Sequence, residues 1–575
     1  MLAAAVLIAQ FAQTIVVTAE RLEQPWREST AAVTVLQRED LAKLPAQTLG
    51  DALRAVSGLQ LIVVNPGAPP MISSRGFFGA GEVEYMQLIV DGVPANDVES
   101  GLADWRSIPI ESIDRIEVLR GPGSSLFGDT ALGGVVQVFR NHDPYASVSI
   151  GSFDTTRWSI GFANGGASQV RSDGFREHSA SDERFANLRF GGFSLDASRR
   201  TREDPGVQDA DGNDSDLFRD DREESRRVRA AWRYHGAFDA LLHASDRSSE
   251  QTRTLLLAPG FGDRATRDLD TFAAGASVTK KFRGATGGVD VAHETLDSRY
   301  ADVRGDGSRN FAAAFVSGDW HVTPRVRLAA GARYDAIQDS FESHDVNDRA
   351  LSPRIGVSFD AGPITAYLQL ARAFKAPTLD QRFDQRSIAG FTISNPELSS
   401  QHAKNVEGGV RGANWEAVAY WMDVDDEIDF DAHTFRYANI GRSRHRGIET
   451  SYRGRFVSAG YTWTRVEGED GHQLKNIAEH VLRASLDLAH VHLGIEHSAN
   501  RWLDDANQFP LDDATLVDLR VAKTFGSITA AIEANNLFDQ KYAPLGFALG
   551  DTPFYNPGPG RSIAVTIAWK APSPR

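Results

Sequence analysis

The sequence predicts an all-β transmembrane barrel behind a compact α/β domain. Three observations carry that prediction. From about Tyr145 onward, apolar residues alternate with polar or small ones at a period of two. No segment offers the ~18 consecutive apolar residues of a spanning helix, which leaves a closed barrel as the way to satisfy backbone polar groups in lipid. The first 140 residues instead mix helical and strand periodicities.

Composition sets the outer limits. A chain of 575 residues exceeds one ordinary core and fits several domains or one large barrel. Cysteine is absent, which excludes a disulfide framework and thiolate metal sites. A formal charge of −16, with no long basic run, argues against nucleic acid as a partner. The 51 glycines suit turns and tapering walls better than a helical bundle.

Taken in order, residues 1–12 contain the apolar run Leu2-Ala-Ala-Ala-Val-Leu-Ile-Ala9, about the length of a signal-peptide core and too short to span. No Lys or Arg precedes it, so the true start is expected upstream. Residues 20–140 read as the α/β unit. Leu49, Ala52, Leu53 and Val56 share a helical face, with Thr48 as N-cap and Gly58 after the end. The strand ending at Val90 meets the turn dipeptide Asp91-Gly92. Gly121-Pro122-Gly123 permits a sharp turn, and Gly133-Gly134 allows close backbone approach before Val135-Val136-Gln137-Val138.

Residues 141–575 carry the alternation. Val148 and Ile150 alternate with Ser147 and Ser149; Trp158, Ile160 and Phe162 alternate with Ser159 and Gly161. Ile364, Ala366, Leu368 and Leu370 repeat the pattern, as do Val517, Leu519 and Val521, and finally Ile563, Val565, Ile567 and Trp569. A soluble sandwich array or propeller alternates similarly. The absence of a fixed-period repeat and the recurrence of Trp and Tyr near strand ends favour the barrel.

Several blocks, in order, resemble TonB-dependent outer-membrane receptors. Residues 113–139 resemble the end of their plug domain. Ala373-Phe-Lys-Ala-Pro-Thr-Leu379, Asn395-Pro-Glu-Leu398, Val406-Glu-Gly-Gly409, Tyr437-Ala-Asn-Ile-Gly441, Arg446-Gly-Ile-Glu449, Asn535-Asn-Leu-Phe-Asp539 and Pro557-Gly-Pro-Gly-Arg561 resemble their barrel and C-terminal segments. The resemblance implies about 22 antiparallel strands around a plug in the lumen. It implies an outer-membrane location in a Gram-negative bacterium, and a transporter rather than an enzyme. It makes residues 13–19, with Thr14, Ile15, Val16, Val17 and Thr18, a TonB box that offers its backbone as an added strand to TonB of the inner-membrane energising complex. The tail beyond Trp569 departs from the usual terminal aromatic.

A barrel this wide leaks unless plugged. Arg75, Glu117 and Arg120 are the charged plug residues expected against the wall, in pairs that hold the interface yet leave it separable. By resemblance, plug apices fall near residues 65–71, 77–85 and 95–103; Phe77, Phe78, Tyr85 and Asn96 are the candidate ligand contacts, with core packing the competing role for the aromatics. Haem receptors of the family carry an axial histidine between the two central blocks and another in the plug. Here both regions lack histidine. That argues against haem; a ferric siderophore, the commonest cargo of the family, is what the resemblance implies, with cobalamin the alternative. No cofactor is required. The loop Asp209-Ala-Asp-Gly-Asn-Asp-Ser-Asp216 places Asp209, Asp211, Asp214 and Asp216 around a glycine, a composition suited to calcium, as on an early loop of cobalamin receptors; a solvated acidic loop is the competing reading. A secreted β-rich hydrolase is the remote alternative, and no motif fixes its nucleophile or acid.

Overall fold

The computed structural model describes residues 15–16 and 24–571 apart from 63–69, 79–82, 216–218, 259–260, 343, 386, 389–390, 432–433 and 435. The expected signal segment, Thr14, Val17, Thr18 and Asp216 lie outside the described residues.

The plug is built on a five-stranded sheet, in the order β1, β6, β7, β4, β5. Its strands are β1 (Val33–Gln37), β4 (Met86–Val90), β5 (Val93–Pro94), β6 (Ile113–Arg120) and β7 (Gly134–Arg140), with the hairpin β2 (Leu59–Ile62) and β3 (Met71–Ser74) beside it. Two short helices, α1 (Arg38–Leu41) and α2 (Leu49–Leu53), cover one face. Thr48 caps α2 by accepting from Asp51 N, and Asp51 returns a bond to Thr48 N. The helix ends at Leu53 and a turn carries Val56 onto the same core, where Leu49, Leu53, Val56, Leu88, Trp105, Ile116 and Val136 pack together. Asp91 and Gly92 both have positive φ, as a two-residue turn with right-handed twist requires.

The wall is a closed barrel of 22 strands. In chain order they are β8 (Tyr145–Gly151), β9 (Thr155–Phe162), β10 (Gly165–Ser172), β11 (Ser181–Phe190), β12 (Phe193–Asp204), β13 (Arg219–His235), β14 (Asp239–Ala258), β15 (Phe261–Phe282), β16 (Ala285–Tyr300), β17 (Val303–Thr323) and β18 (Val326–Phe341). They continue as β19 (His344–Asp360), β20 (Thr365–Lys375), β21 (Gln401–Arg411), β22 (Trp415–Asp425), β23 (Ser443–Arg453), β24 (Val457–Glu467), β25 (His480–Leu488), β26 (Val491–Ala499), β27 (Ala514–Phe525), β28 (Ile528–Asn535) and β29 (Ser562–Lys570). Closure pairs Tyr145 with Lys570 and Gly151 with Ala564.

Alternation explains the wall. Ser147, Ser149, Arg157 and Ser159 face the buried interior, while Val148, Ile150, Trp158, Ile160 and Phe162 stand bare on the outside. So much exposed apolar surface belongs against lipid. Short turns mark the periplasmic rim and long loops the outer rim. Strands β13 to β19 run well past the ~10 residues a crossing needs, and β15 reaches 22, so this side of the wall stands above the membrane.

The long outer loops close over one another. Val207, Ile393, Leu398, Ile428 and Tyr437 form a small core with Phe430, Phe547, Leu549 and Phe554 packed on it. Gln208 and Tyr555 exchange two backbone bonds of 2.8 Å between the third and last loops. Lys475 bridges Asp429 at 2.5 Å and Asp505 at 2.7 Å.

Candidate functional site: the plug seat

The plug is held to the wall by a buried ionic cluster. After β3 the chain turns through Arg75 at φ 53° and Gly76 at φ 82°, a conformation that non-glycine residues rarely adopt, and this turn aims Arg75 at the wall. Arg75 pairs with Glu407 on β21 at 2.5 Å and Glu449 on β23 at 3.2 Å, and lies over the Tyr420 ring at 4.4 Å. Arg120, the last residue of β6, pairs with Glu416 on β22 at 2.6 Å and Glu449 at 2.7 Å. Burial opposes the charge on Arg75, and Glu407 and Glu449 outweigh it, holding the guanidinium above its ordinary range. Two glycines make room. A Cβ on Gly121 would collide with the Arg75 guanidinium, and one on Gly58, at φ 89°, would meet the Glu449 carboxyl carbon at 2.8 Å.

The same carboxylates hold the strap that leads into the plug. Glu407 accepts from Ala32 N at 3.0 Å. Arg411, paired with Glu416 at 2.8 Å, donates to Ser29 O at 2.5 Å and Ala31 O at 2.7 Å. Strap and arginine pair therefore share one cluster, so displacing residues 29–32 removes partners from Glu407 and Arg411 together.

Further polar contacts ring the plug. Arg140 pairs with Asp196 at 2.8 Å, Arg157 with Glu111 at 2.9 Å, and Arg483 donates to Val56 O and Leu59 O. Asp97 and Glu99 of the third apex pair with Arg227 and Arg247. A cavity of about 860 Å³ separates plug from wall on one flank, from Arg140 and Arg233 near the periplasmic rim to Lys375 and Thr378 below the outer loops. Another of about 540 Å³ lies on the opposite flank beside Arg54, Arg483 and Tyr542.

Of the residues expected at the seat, Arg75 and Arg120 reach the barrel. Glu117 is fully buried in β6 and pairs with Arg115 of the same strand at 2.9 Å. Glu117 and Arg120 lie three residues apart, so the alternation of β6 puts Glu117 on the opposite face of the sheet from the wall-facing arginine, together with Arg115. The wall's Glu407, Glu416, Glu449 and Arg411 were not expected. Glu407 and Glu449 do lie within the family-like blocks, but their strands carry other polar inward residues, Gln401, Asn405, Ser443 and His445 among them, so nothing local singles the two carboxylates out.

The expected ligand contacts distribute differently. Phe77 is fully buried and stacks on Tyr85 at 5.1 Å and on His445 at 4.4 Å; Tyr85 is 3% exposed, with Lys375 Nζ 5.3 Å from its ring. These two are core of the plug and wall, not open stacking faces, because Val83, Leu132, Ala373, Ala403 and Met422 cover them. Phe78 is half-buried. Asn96 ties its own loop, donating to Met86 O at 3.0 Å and Gly101 O at 2.7 Å and accepting from Leu88 N at 2.8 Å. Beside them Glu84 accepts from Trp105 Nε1 at 3.1 Å, and burial pushes its carboxyl up to about 7.

In the acidic loop, Asp209 accepts from Asp211 N, Asn213 N and Asn213 Nδ2, while Asp214 pairs with Arg176 at 2.7 Å. Asp209 thus binds within its own loop, and Asp214 binds Gln208 of that loop and Arg176 of the preceding outer loop, rather than the two converging. Among the described residues no group of three His, Cys, Asp or Glu is arranged to hold a metal.

Comparison with known proteins decides the family. The profile described as "TonB dependent receptor-like, beta-barrel" matches residues 130–537, and that of the "TonB-dependent Receptor Plug Domain" matches residues 25–135. The chain belongs to the TonB-dependent receptors. This places the receptor in the outer membrane of a Gram-negative cell. It is 25% identical to the vitamin B12 transporter BtuB of Vibrio cholerae over 623 aligned residues, covering 95% of each chain. Its fold matches the pyoverdine receptor FpvA of Pseudomonas aeruginosa PAO1 with a TM-score of 0.75 at 16% identity, covering 97% of each chain. It also matches the ferric yersiniabactin receptor FyuA of Yersinia pestis, at a TM-score of 0.72 and 16% identity over 94% of this chain and 98% of the other. The copper transporter OprC gives 0.74 at 16% identity, over 94% and 99%.

Proposed function

We propose that the receptor imports a metal chelate too large for diffusion, with a ferric siderophore as cargo, by TonB pulling on the N-terminal segment. The observation that carries the energised mechanism is the shared cluster: Glu407 and Arg411 hold both the strap at residues 29–32 and, directly or through Glu416, the plug arginines. Ile15–Val16 already pairs as a short strand with Gln24–Pro25, a backbone arrangement that a partner's sheet edge can replace. Force applied there reaches Trp26, Arg27 and Glu28, which are tied to Arg411, Gly362 and Arg327 of the wall, and then Ser29, Ala31 and Ala32. Their release strips backbone partners from Arg411 and Glu407 and loosens Arg75 and Arg120 in turn. The ionic part of the seat parts under force without exposing an apolar face, and the smaller apolar contact of Phe77 and Tyr85 with Ala373, Ala403 and Met422 separates with it.

Cobalamin is the second reading. The end-to-end alignment with vitamin B12 transporters favours it; the engagement of Asp209 within its own loop and of Asp214 by Gln208 and Arg176 weighs against the calcium site that speaks for it. Uptake by whole cells with and without TonB, using a labelled ferric siderophore and labelled cobalamin in parallel, tests both. TonB-dependent accumulation of the iron chelate alone supports the first reading. Accumulation of cobalamin alone replaces it with the second, and TonB-independent entry of either overturns the mechanism.

A further inference from the structure

On the lipid-facing side of the barrel, Arg184 of β11 lies directly opposite Arg199 of β12, and Arg199 directly opposite Arg226 of β13. Three like charges in one cross-strand row, about 5 Å apart at the backbone, repel one another. They are not buried against the plug: the side chains are 59%, 48% and 65% exposed. Local carboxylates compensate them incompletely. Asp182 takes Arg184 at 3.0 Å and stands directly opposite Arg171, while Glu224 alone serves Arg199 at 2.9 Å, Arg226 at 2.9 Å and Arg222 at 3.3 Å.

The height of the row is marked on both sides. Leu188, Leu195 and Val228 lie two to four residues toward the periplasmic rim on the same faces and are exposed, as lipid-facing residues are. In the same row, through Gln169, stands Trp158, whose Nε1 donates to Gln169 Oε1 at 3.1 Å; tryptophan so placed marks the boundary between acyl chains and headgroups. The row is confined to one arc. Continuing round the barrel through Ser248, it turns acidic at Asp270, Asp297 and Asp306, while Glu250 lies opposite Glu224 in the neighbouring row.

We propose that Arg184, Arg199 and Arg226 form a binding site for the phosphorylated headgroup of an outer-leaflet lipid. Guanidinium forks match phosphate oxygens bidentately, and a site at the headgroup level lets the acyl chains lie on Leu188, Leu195 and Val228. Charge complementarity selects the occupant: the arc is basic where the barrel as a whole is acidic.

The test uses the full-length receptor in neutral detergent, with bound lipid A read by native mass spectrometry. Wild type should retain the bis-phosphorylated lipid, bind its dephosphorylated counterpart at least tenfold more weakly, and keep the adduct in millimolar inorganic phosphate. The triple change Arg184→Gln, Arg199→Gln, Arg226→Gln should weaken the adduct at least tenfold. The control Asp270→Asn, Asp297→Asn should leave it unchanged or tighter. If the triple variant fails to fold, as read by heat-modifiable mobility, Arg199→Gln alone carries the test with at least a threefold loss. Equal binding of phosphorylated and dephosphorylated lipid, or an unchanged adduct in the folded variants, overturns the site. Displacement by inorganic phosphate at micromolar concentration overturns the lipid assignment in favour of free phosphate.

Discussion

Glu449 is the carboxylate on which both plug arginines converge, at 3.2 Å from Arg75 and 2.7 Å from Arg120. Glu449→Gln keeps the shape and removes the charge. Arg75 retains Glu407 and Arg120 retains Glu416, so the loss should sit at the low end of that for breaking a buried pair, about 3 kcal/mol. At 1.36 kcal/mol per decade that is roughly a 150-fold rise in the population of the unseated plug. Hydrogen exchange measured by mass spectrometry on the detergent-solubilised receptor reads this directly. Amides of β6 and β7 should exchange about a hundredfold faster, while the barrel strands β25 to β28 keep their protection. Exchange of β6 within threefold of wild type, in a folded variant, would show that the pairs add nothing net to the seat and would refute the ionic account of plug retention.

Other consequences follow from the same geometry. Val16→Pro removes a backbone donor from the segment offered to TonB and should abolish energised uptake while leaving ligand binding to whole cells unchanged; equal uptake removes the TonB-box assignment. Arg411→Ala should free the strap from Ser29 O and Ala31 O, so limited proteolysis near residues 26–32 should become fast in the mutant and stay slow in wild type. For Glu84 the folded carboxyl titrates at about 7, above its ordinary 4.5, so the folded state holds the proton more tightly. Its contribution is full below about 4.5 and is lost as pH rises through about 7, so urea stability of the plug should fall across that window in wild type and stay flatter in Glu84→Gln. The acidic loop should give no saturable calorimetric heat with calcium, because Asp214 is taken by Arg176, and Asp211→Asn with Asp214→Asn should leave ligand affinity unchanged; a saturable heat lost in that double variant would restore the metal reading.

The barrel is legible from sequence because each wall strand obeys one local rule. Val148 and Ile150 against Ser147 and Ser149 state which face meets lipid without reference to any other strand. The plug helix is legible for the same local reason, through Thr48 and Asp51 at its cap. The seat is only half legible. Arg75 and Arg120 stand out as charges beside glycine turns, but their partners on β21, β22 and β23 converge through the register of three long strands, which no local pattern reveals. Phe77 and Tyr85 take the core-packing role that competes with ligand contact, because an apex in chain order says nothing about depth and the wall residues Ala373, Ala403 and Met422 close over them. Glu117 is a charged residue of the same strand as Arg120, and only its place on the opposite face of β6 separates it from the seat.

The central claim is that the plug must part from the wall during import. The chain contains no cysteine, so an engineered pair is unambiguous. Ser57 of the plug faces Gly460 of β24, and a Cβ at 460 would stand 3.2 Å from Ser57 Cβ, close to disulfide spacing. With Ser57→Cys and Gly460→Cys oxidised, whole cells should bind cargo at the outer face with unchanged affinity yet accumulate none, and reduction should restore uptake. Wild-type uptake by the fully oxidised receptor would contradict the account.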